Sequence, residues 1–337
     1  MKVLLVNSLF GKKVSGSGQH VYNLWKYLKN KVDFIIWNIE NVGYINIPKL
    51  KSISFYIKTK RKKLPKDLDI IHVHNPKFAG LFREDKKNIL TIHGEYRREL
   101  EIQYGLFAKP IIKYIDGNIR KADVITTVSP LWARLNGWRW IPNMVEISEI
   151  RRIEPVHKDY MFKGIKPGKY VLFVGRDDPV KDYPLFRRIA KEAYKQLGVK
   201  SIALGVIREN TDYLMHAKVA WEVVISLMKS ALALVITSKH EGFPTVLLEA
   251  WASGCPVVAR RIPPLAEFSR LFNDSMLTFG TEGGGLVESA VLRLNLLYYN
   301  EPLRKCFIAK GYEAVKNFDA PVVAEHYYKL YKEVLGQ

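Results

Sequence analysis

Short apolar runs alternate with longer amphipathic stretches along the whole chain. Residues 2–7, 32–37, 69–74, 89–95, 121–129, 170–176 and 231–236 each read as a buried strand, and segments of helical composition follow several of them. Residues 246–252 open such a segment behind Pro244, and 321–335 carry apolar and tyrosine positions at helical spacing. Strands that alternate with helices predict an α/β chain with parallel sheets. The alternation runs on both sides of residues 146–168, which are charged and lack a strong apolar period. That stretch predicts a domain boundary, giving two doubly wound Rossmann-like domains over 1–150 and 151–318 and a terminal helix over 319–337. At 337 residues with 48% hydrophobic content, the chain suffices for two cores. No internal repeat or low-complexity tract is evident.

The densest chemistry lies in Ser238-Lys239-His240-Glu241-Gly242-Phe243-Pro244-Thr245, followed four residues later by Glu249. The pattern places Glu241 in a strand-to-helix loop and Glu249 within the helix that follows. Parallel sheets bind ligands at the carboxyl ends of their strands, and free N–H groups at a helix start attract anions. A carboxylate accepts hydrogen bonds only, which suits it to gripping paired sugar hydroxyls. The plain alternative is a capped surface helix with two solvated acids. A second strand ends in Gly175-Arg176, with Lys181 five residues on. Two fixed cations there suit a diphosphate that gains charge as it leaves. The alternative is a basic turn paired with Asp177, Asp178 or Asp182.

After the first strand, residues 16–21 resemble half of a dinucleotide fingerprint. The third glycine is replaced by Val21, and the strand over 32–37 runs into Asn38 where a ribose-binding acid would stand. A nicotinamide site is therefore not expected. His72, His74 and His93 stand at or near strand ends, but not at the spacing of a tight zinc motif. Asp67-Leu68-Asp69 precedes its strand and reads as a turn. His72 reads as core. No metal or other cofactor is expected.

The run from Ser238 to Ala250, continued by residues 252–259, resembles the E-x7-E signature of retaining GT-B glycosyltransferases of family 4. The resemblance covers nearly the whole chain. It implies a GT-B fold, two Rossmann-like domains facing a cleft with the terminal helix crossing back to the first. It implies that Glu241 meets the transferred sugar and Glu249 the donor ribose. Gly242, Phe243, Pro244 and Thr245 complete the donor bend, and Gly175, Arg176 and Lys181 hold the diphosphate. Gly16 and Gly18 would belong to a glycine-rich loop that closes over the donor phosphate. His93 would lie near the anomeric carbon, as a neutral imidazole or through its backbone carbonyl. The implied activity is metal-independent, retaining transfer of a hexosyl-type group from a nucleotide sugar to an acceptor hydroxyl, in glycan, glycolipid or cell-envelope polysaccharide synthesis. Residues 140–145 match a family segment in which a glycine stands where this chain has Met144, and Ile262-Pro263-Pro264 replaces a glycine pair.

The net charge is +20. Residues 1–150 carry 26 Lys and Arg against 13 Asp and Glu, while the remainder carry 27 against 20. Lys49 and Lys51, then Lys58, Lys60, Arg61, Lys62 and Lys63 with Phe55 and Tyr56 between them, make a basic, partly aromatic segment. It suits an anionic membrane surface or a lipid-linked acceptor, or else it is a solvated loop. There is no apolar run of about eighteen residues, and residues 3–6 are too short for a secretory leader. The expected location is cytoplasmic, with peripheral contact to the inner membrane face. Cys255 and Cys306 form no disulfide framework. Two other readings remain open: a nucleotide-sugar epimerase of similar fold, and a basic nucleic-acid-binding protein on a transferase scaffold. No nucleic-acid module is recognisable, so nucleic acid is not an expected partner.

Overall fold

The structure, a computed structural model, describes residues 1–47, 51–155, 162, 165–280 and 285–337. It divides into two compact units, residues 1–144 with 320–337 and residues 145–319. In the first unit, β1 (Lys2–Val6), β2 (Asp33–Trp37), β3 (Ile70–Val73), β4 (Lys87–Ile92), β5 (Val124–Thr127) and β6 (Arg139–Trp140) pair in parallel, in the order β2-β1-β3-β4-β5-β6. Apolar residues on both faces of these strands require cover on both sides of the sheet. Val3 and Leu5 face one side, with Val21 and Leu24 of the helix Gly16–Leu28 and Val323 and Tyr327 of the helix Ala320–Val334. Leu4 and Val6 face the other, with Phe55, Phe78 and Ile115. Burial of each such side chain contributes roughly 1.5–3 kcal/mol.

In the second unit, β7 (Tyr170–Val174), β8 (Lys200–Leu204), β9 (Leu214–Ala217), β10 (Ala233–Ile236), β11 (Val257–Arg260) and β12 (Leu277–Phe279) also pair in parallel, in the order β12-β11-β10-β7-β8-β9. Val171, Phe173 and Val235 pack with Phe186 and Leu294 on one face. A separate aromatic group includes Trp251 stacked on Phe268, with Phe243 and Phe318 against the same ring. Strand order reverses between β1 and β3 in the first sheet and between β7 and β10 in the second. Loops leaving neighbouring strands diverge at such a switch point, which opens a crevice where ligands bind.

The division falls at 144/145 rather than 150/151. Val145 forms an isolated parallel bridge with Asp319, and the Ile147 N–H donates to the Asp319 carboxylate at 3.2 Å, which ties residues 145–152 to the second unit. β6, β8, β9, β11 and β12 were not picked out as strands from the sequence. Of the basic segment, residues 51–61 are helical, and Phe55 is fully buried against Phe78. The Tyr56 hydroxyl is bonded to that of Tyr114 at 2.7 Å. Phe55 is thus committed to the core, whereas Tyr56 stays partly exposed with the Lys60 ammonium 5.9 Å from its ring centre. Lys58, Lys60 and Arg61 form the helix's last turn, where cations complement the dipole, and Lys62 and Lys63 follow as exposed residues. Lys49, and residues 156–161, 163 and 164 of the charged stretch, lie outside the described residues. Among the described residues no helix is long and apolar enough to cross a membrane.

Candidate functional site

In the second unit the loops after β7 and β10 are joined by several bonds. The Asp178 carboxylate accepts from the Val180 and Lys181 N–H groups at 3.0 and 2.9 Å, which shapes the turn. The Lys239 N–H donates to the Val180 carbonyl at 2.8 Å, and the Thr237 hydroxyl donates to the Lys181 carbonyl at 2.7 Å. These bonds bring the Lys181 ammonium to 2.5 Å from Glu241 Oε1, an oxygen that also accepts from the Ser238 hydroxyl at 2.6 Å. The Glu241 side chain is only 10% exposed, so its charge is compensated where water is scarce. Arg176 behaves differently. Its side chain is 85% exposed and its guanidinium pairs with Asp178 at 3.1 Å. Each cation has taken its own carboxylate.

Backbone geometry sharpens the Gly175 end. Gly175 donates to the Leu204 carbonyl at 3.0 Å, continuing the β7–β8 ladder. Gly205 opposite has φ +90°, and a Cβ there would lie 2.6 Å from the Gly175 carbonyl oxygen. Only glycine allows the two loops to run that close. Asp182, also at positive φ, is held by Arg260 at 3.1 Å.

The helix Thr245–Ala252 begins behind Pro244 as its N-cap and presents Glu249 on its second turn. Glu249 Oε1 accepts from the Trp221 indole N–H at 2.8 Å. Glu241, Gly242 and Thr245 are partly exposed, but the Phe243 ring is 4% exposed and packs on Phe268 at 4.4 Å. Phe243 therefore offers a ligand its backbone at most, and its side chain belongs to the core. Ser238, Asp178, Gly205 and Trp221 went unnoticed in the sequence as site residues. Ser238 and Asp178 were visible beside named residues, whereas Trp221 is brought to Glu249 only by folding.

In the first unit Gly16 and Gly18 are not in a loop. They form the first turn of the helix Gly16–Leu28, whose N-cap Ser15 accepts from the Gly18 N–H at 3.0 Å. A serine N-cap satisfies a free N–H and starts the helix earlier than the glycines suggested. A Cβ on Gly18 would lie 2.7 Å from Val14 Cγ2, so this glycine serves close packing of the preceding chain.

His93 stands just past β4 and gathers a group that the sequence did not connect. Its Nε2 lies 3.3 Å from His74 Nδ1, and its ring lies 4.9 Å from that of His20. His20 Nδ1 is 3.2 Å from Asn143 Oδ1 and its Nε2 is 3.1 Å from the Tyr327 hydroxyl. His72, read as core, is fully buried between the Tyr331 hydroxyl at 2.7 Å and the Thr91 hydroxyl at 2.8 Å. Burial pushes every one of these imidazoles below its ordinary range, His93 to about 4 and His72 to about 3, and neighbouring imidazoles lower His20, His72 and His74 further. They are neutral at pH 7. Among the described residues no group of three or more His, Cys, Asp or Glu is arranged to hold a metal ion.

Comparison with known proteins bears on both units. The family model described as Glycosyl transferases group 1 matches residues 159–314. A phosphatidyl-myo-inositol mannosyltransferase of Mycobacterium leprae is 38% identical over 305 residues, covering 84% of this chain and 78% of its own. Among solved structures, a sucrose-phosphate synthase from Thermosynechococcus elongatus superposes with a TM-score of 0.77 at 16% identity, covering 100% of this chain and 99% of its own. HepE of Anabaena, in complex with UDP and glucose, gives 0.74 at 14% identity, covering 99% of this chain and 100% of its own.

Proposed function

The chain belongs to the glycosyl transferases group 1 family, with the GT-B glycosyltransferase fold, and we propose that it moves a sugar from a nucleotide-sugar donor to an acceptor hydroxyl with retention of configuration. One observation carries the reading: Lys181, Glu241 and Ser238 meet at the switch point of the second sheet, inside the region matched by the family. HepE, of the same fold, is known with UDP and glucose, and a UDP-type donor is the natural first candidate.

In this reading the donor diphosphate replaces internal partners. The Lys181 ammonium, with Arg176, meets the phosphate charge, and Glu241 turns its oxygens to hydroxyls of the transferred sugar. Glu249, oriented by the Trp221 N–H, accepts from the ribose hydroxyls. The bond from the anomeric carbon to the leaving phosphate oxygen breaks. The acceptor oxygen bonds to the same face of that carbon, and its proton passes to the departing phosphate. Fixed cations stabilise the leaving charge, so no metal is required.

The family membership and the loop geometry favour a transferase over the epimerase and nucleic-acid readings. For the acceptor, the basic helix Lys51–Arg61 and the following Lys62 and Lys63 support an anionic or lipid-linked molecule, approached from the cytoplasmic face of a membrane. The Mycobacterium leprae relative, a phosphatidyl-myo-inositol mannosyltransferase, suits that choice. The donor test is a binding panel of UDP, GDP, ADP and their sugars. Selective binding that is weakened in both Arg176→Ala and Glu249→Ala is expected, and no binding to any member would overturn the reading. The anomer formed, read by NMR of the product, decides retention. Flotation with anionic vesicles tests the membrane arm, which fails if charge-reversed Lys58, Lys60 and Lys62 leave binding unchanged.

A further inference from the structure

We infer that Asn143 and His74 are positioning residues that hold His93 as one neutral tautomer, with its proton on Nδ1 and its Nε2 lone pair turned to His74. The inference rests on the proposed place of His93 beside the reacting sugar, and its geometry comes from the first unit alone.

The hydrogen bonds, together with one unpartnered ring nitrogen, favour one set of protons. Asn143 Oδ1 faces His20 Nδ1 at 3.2 Å, and an amide oxygen only accepts, so His20 carries its proton on Nδ1. His20 Nε2 is then a bare lone pair, and the Tyr327 hydroxyl at 3.1 Å donates to it. The Asn143 side chain also favours the protonated form of His93, which supports a proton on the ring nitrogen nearer to it. Since His93 Nε2 faces His74 at 3.3 Å, the nitrogen left for Asn143 is Nδ1. With that proton on Nδ1, His93 Nε2 accepts and His74 Nδ1 donates. That leaves His74 Nε2 without a proton, and this is the buried nitrogen that has no hydrogen-bond partner. An unpaired lone pair is more readily tolerated in a protein interior than an unpaired N–H, which supports the same direction.

The arrangement has a chemical consequence. The Nε2 lone pair of His93 is engaged inside the unit, so it is not the base that takes a proton from substrate. Its neutral ring is a fixed dipole beside which positive charge can develop without repulsion. No carboxylate or cation hydrogen-bonds within this network of described residues: its partners are His20 from the first helix, His72 within β3 and His74 just after it, Thr91 from β4, Thr126 from β5, and Tyr327 and Tyr331 from the terminal helix.

Two-bond correlation of ring protons with ring nitrogens in labelled protein reads each tautomer directly. His20, His74 and His93, assigned through single His→Gln variants, are expected to show Nδ1–H at pH 7, against the Nε2–H form that free imidazole side chains prefer. An Nε2–H form of His93 would overturn the inference, whatever the nucleotide panel finds, so the two proposals fail separately. Asn143→Ala is expected to release His93 to a mixture of tautomers and to lower kcat at least tenfold while the donor KM changes less than twofold. Asn143→Asp places a carboxylate where the amide stood, and an acid limb should enter a pH–rate profile that is flat in the wild type. Unchanged kcat and pH profile in both variants would remove the positioning role. Tyr327→Phe keeps the buried ring and is expected to free His20 alone, and an unmoved His20 would break the assigned chain.

Discussion

The first unit surrounds its candidate residues with neutral, buried hydrogen bonds, whereas the second arranges its own as ion pairs at the loops of a sheet. His20, His72 and His74 are buried among aromatic rings and one another, and burial keeps them uncharged. Lys181, Glu241, Arg176 and Asp178 carry full charges, and the pairs range from nearly buried to open. The difference follows from what each group can do in low dielectric. An imidazole sheds its charge by losing a proton near neutrality, while an ammonium and a carboxylate must find each other. The second unit thus presents paired charges at its loops, and the first a buried cluster of neutral polar groups.

The largest test of this contrast is acid. The buried histidines have folded pKa values depressed below the ordinary 6.5, so between that value and about 4 the unfolded chain binds more protons than the native one. Stability present above pH 6.5 is lost as the pH falls, by up to about 1.4 kcal/mol per pH unit for each fully buried imidazole. Hydrogen exchange at pH 7 and pH 5 should therefore show the first unit opening well before the second. Equal loss in both units would dissolve the comparison.

Next in size is Lys181→Ala. Removing one preorganised charge at a leaving group typically lowers kcat by about 10²–10³-fold, and that is the expected outcome in a transfer assay once the donor is known. Arg176→Ala, from a site 85% exposed, should cost less in kcat and more in sensitivity to salt. Smaller again is Gly205→Ala. Strain at positive φ and the approach to the Gly175 carbonyl should cost roughly 1–3 kcal/mol in a thermal melt and weaken donor binding. The smallest expected effect is Trp221→Phe, which removes one hydrogen bond to Glu249. A net loss of about 0.5–1.5 kcal/mol corresponds to a donor Kd raised by roughly twofold to twelvefold, with kcat little changed.

Some of this was legible before folding and some was not. Buried parallel strands announce themselves as apolar runs, and β1, β3, β4, β7 and β10 could be read that way. β6, β8, β9, β11 and β12 were less distinctive in sequence, β6 and β12 being only two and three residues long, and they gain their identity from the neighbours they pair with. The glycine pair at 16 and 18 suggested a loop because glycine is permissive, yet a serine cap and tight packing made a helix of it. Phe243 lay within a recognisable motif, and its neighbours Phe268 and Phe318, distant in sequence, decided that its ring would be core.

By itself the sequence determined the alternation that makes two parallel sheets, the family resemblance through Glu241 and Glu249, and the excess of positive charge in the first 150 residues. These are properties of residue type and local order, which period and spacing record directly. Only the tertiary structure decided which cation meets which carboxylate, that Trp221 steadies Glu249, and that four histidines from one helix and two strand ends share Asn143, two threonines and two terminal tyrosines. His20 and Tyr327 are 307 positions apart and 3.1 Å apart in space. Hydrogen bonds act over a few ångströms and carry no memory of sequence distance, so only the fold could name their partners.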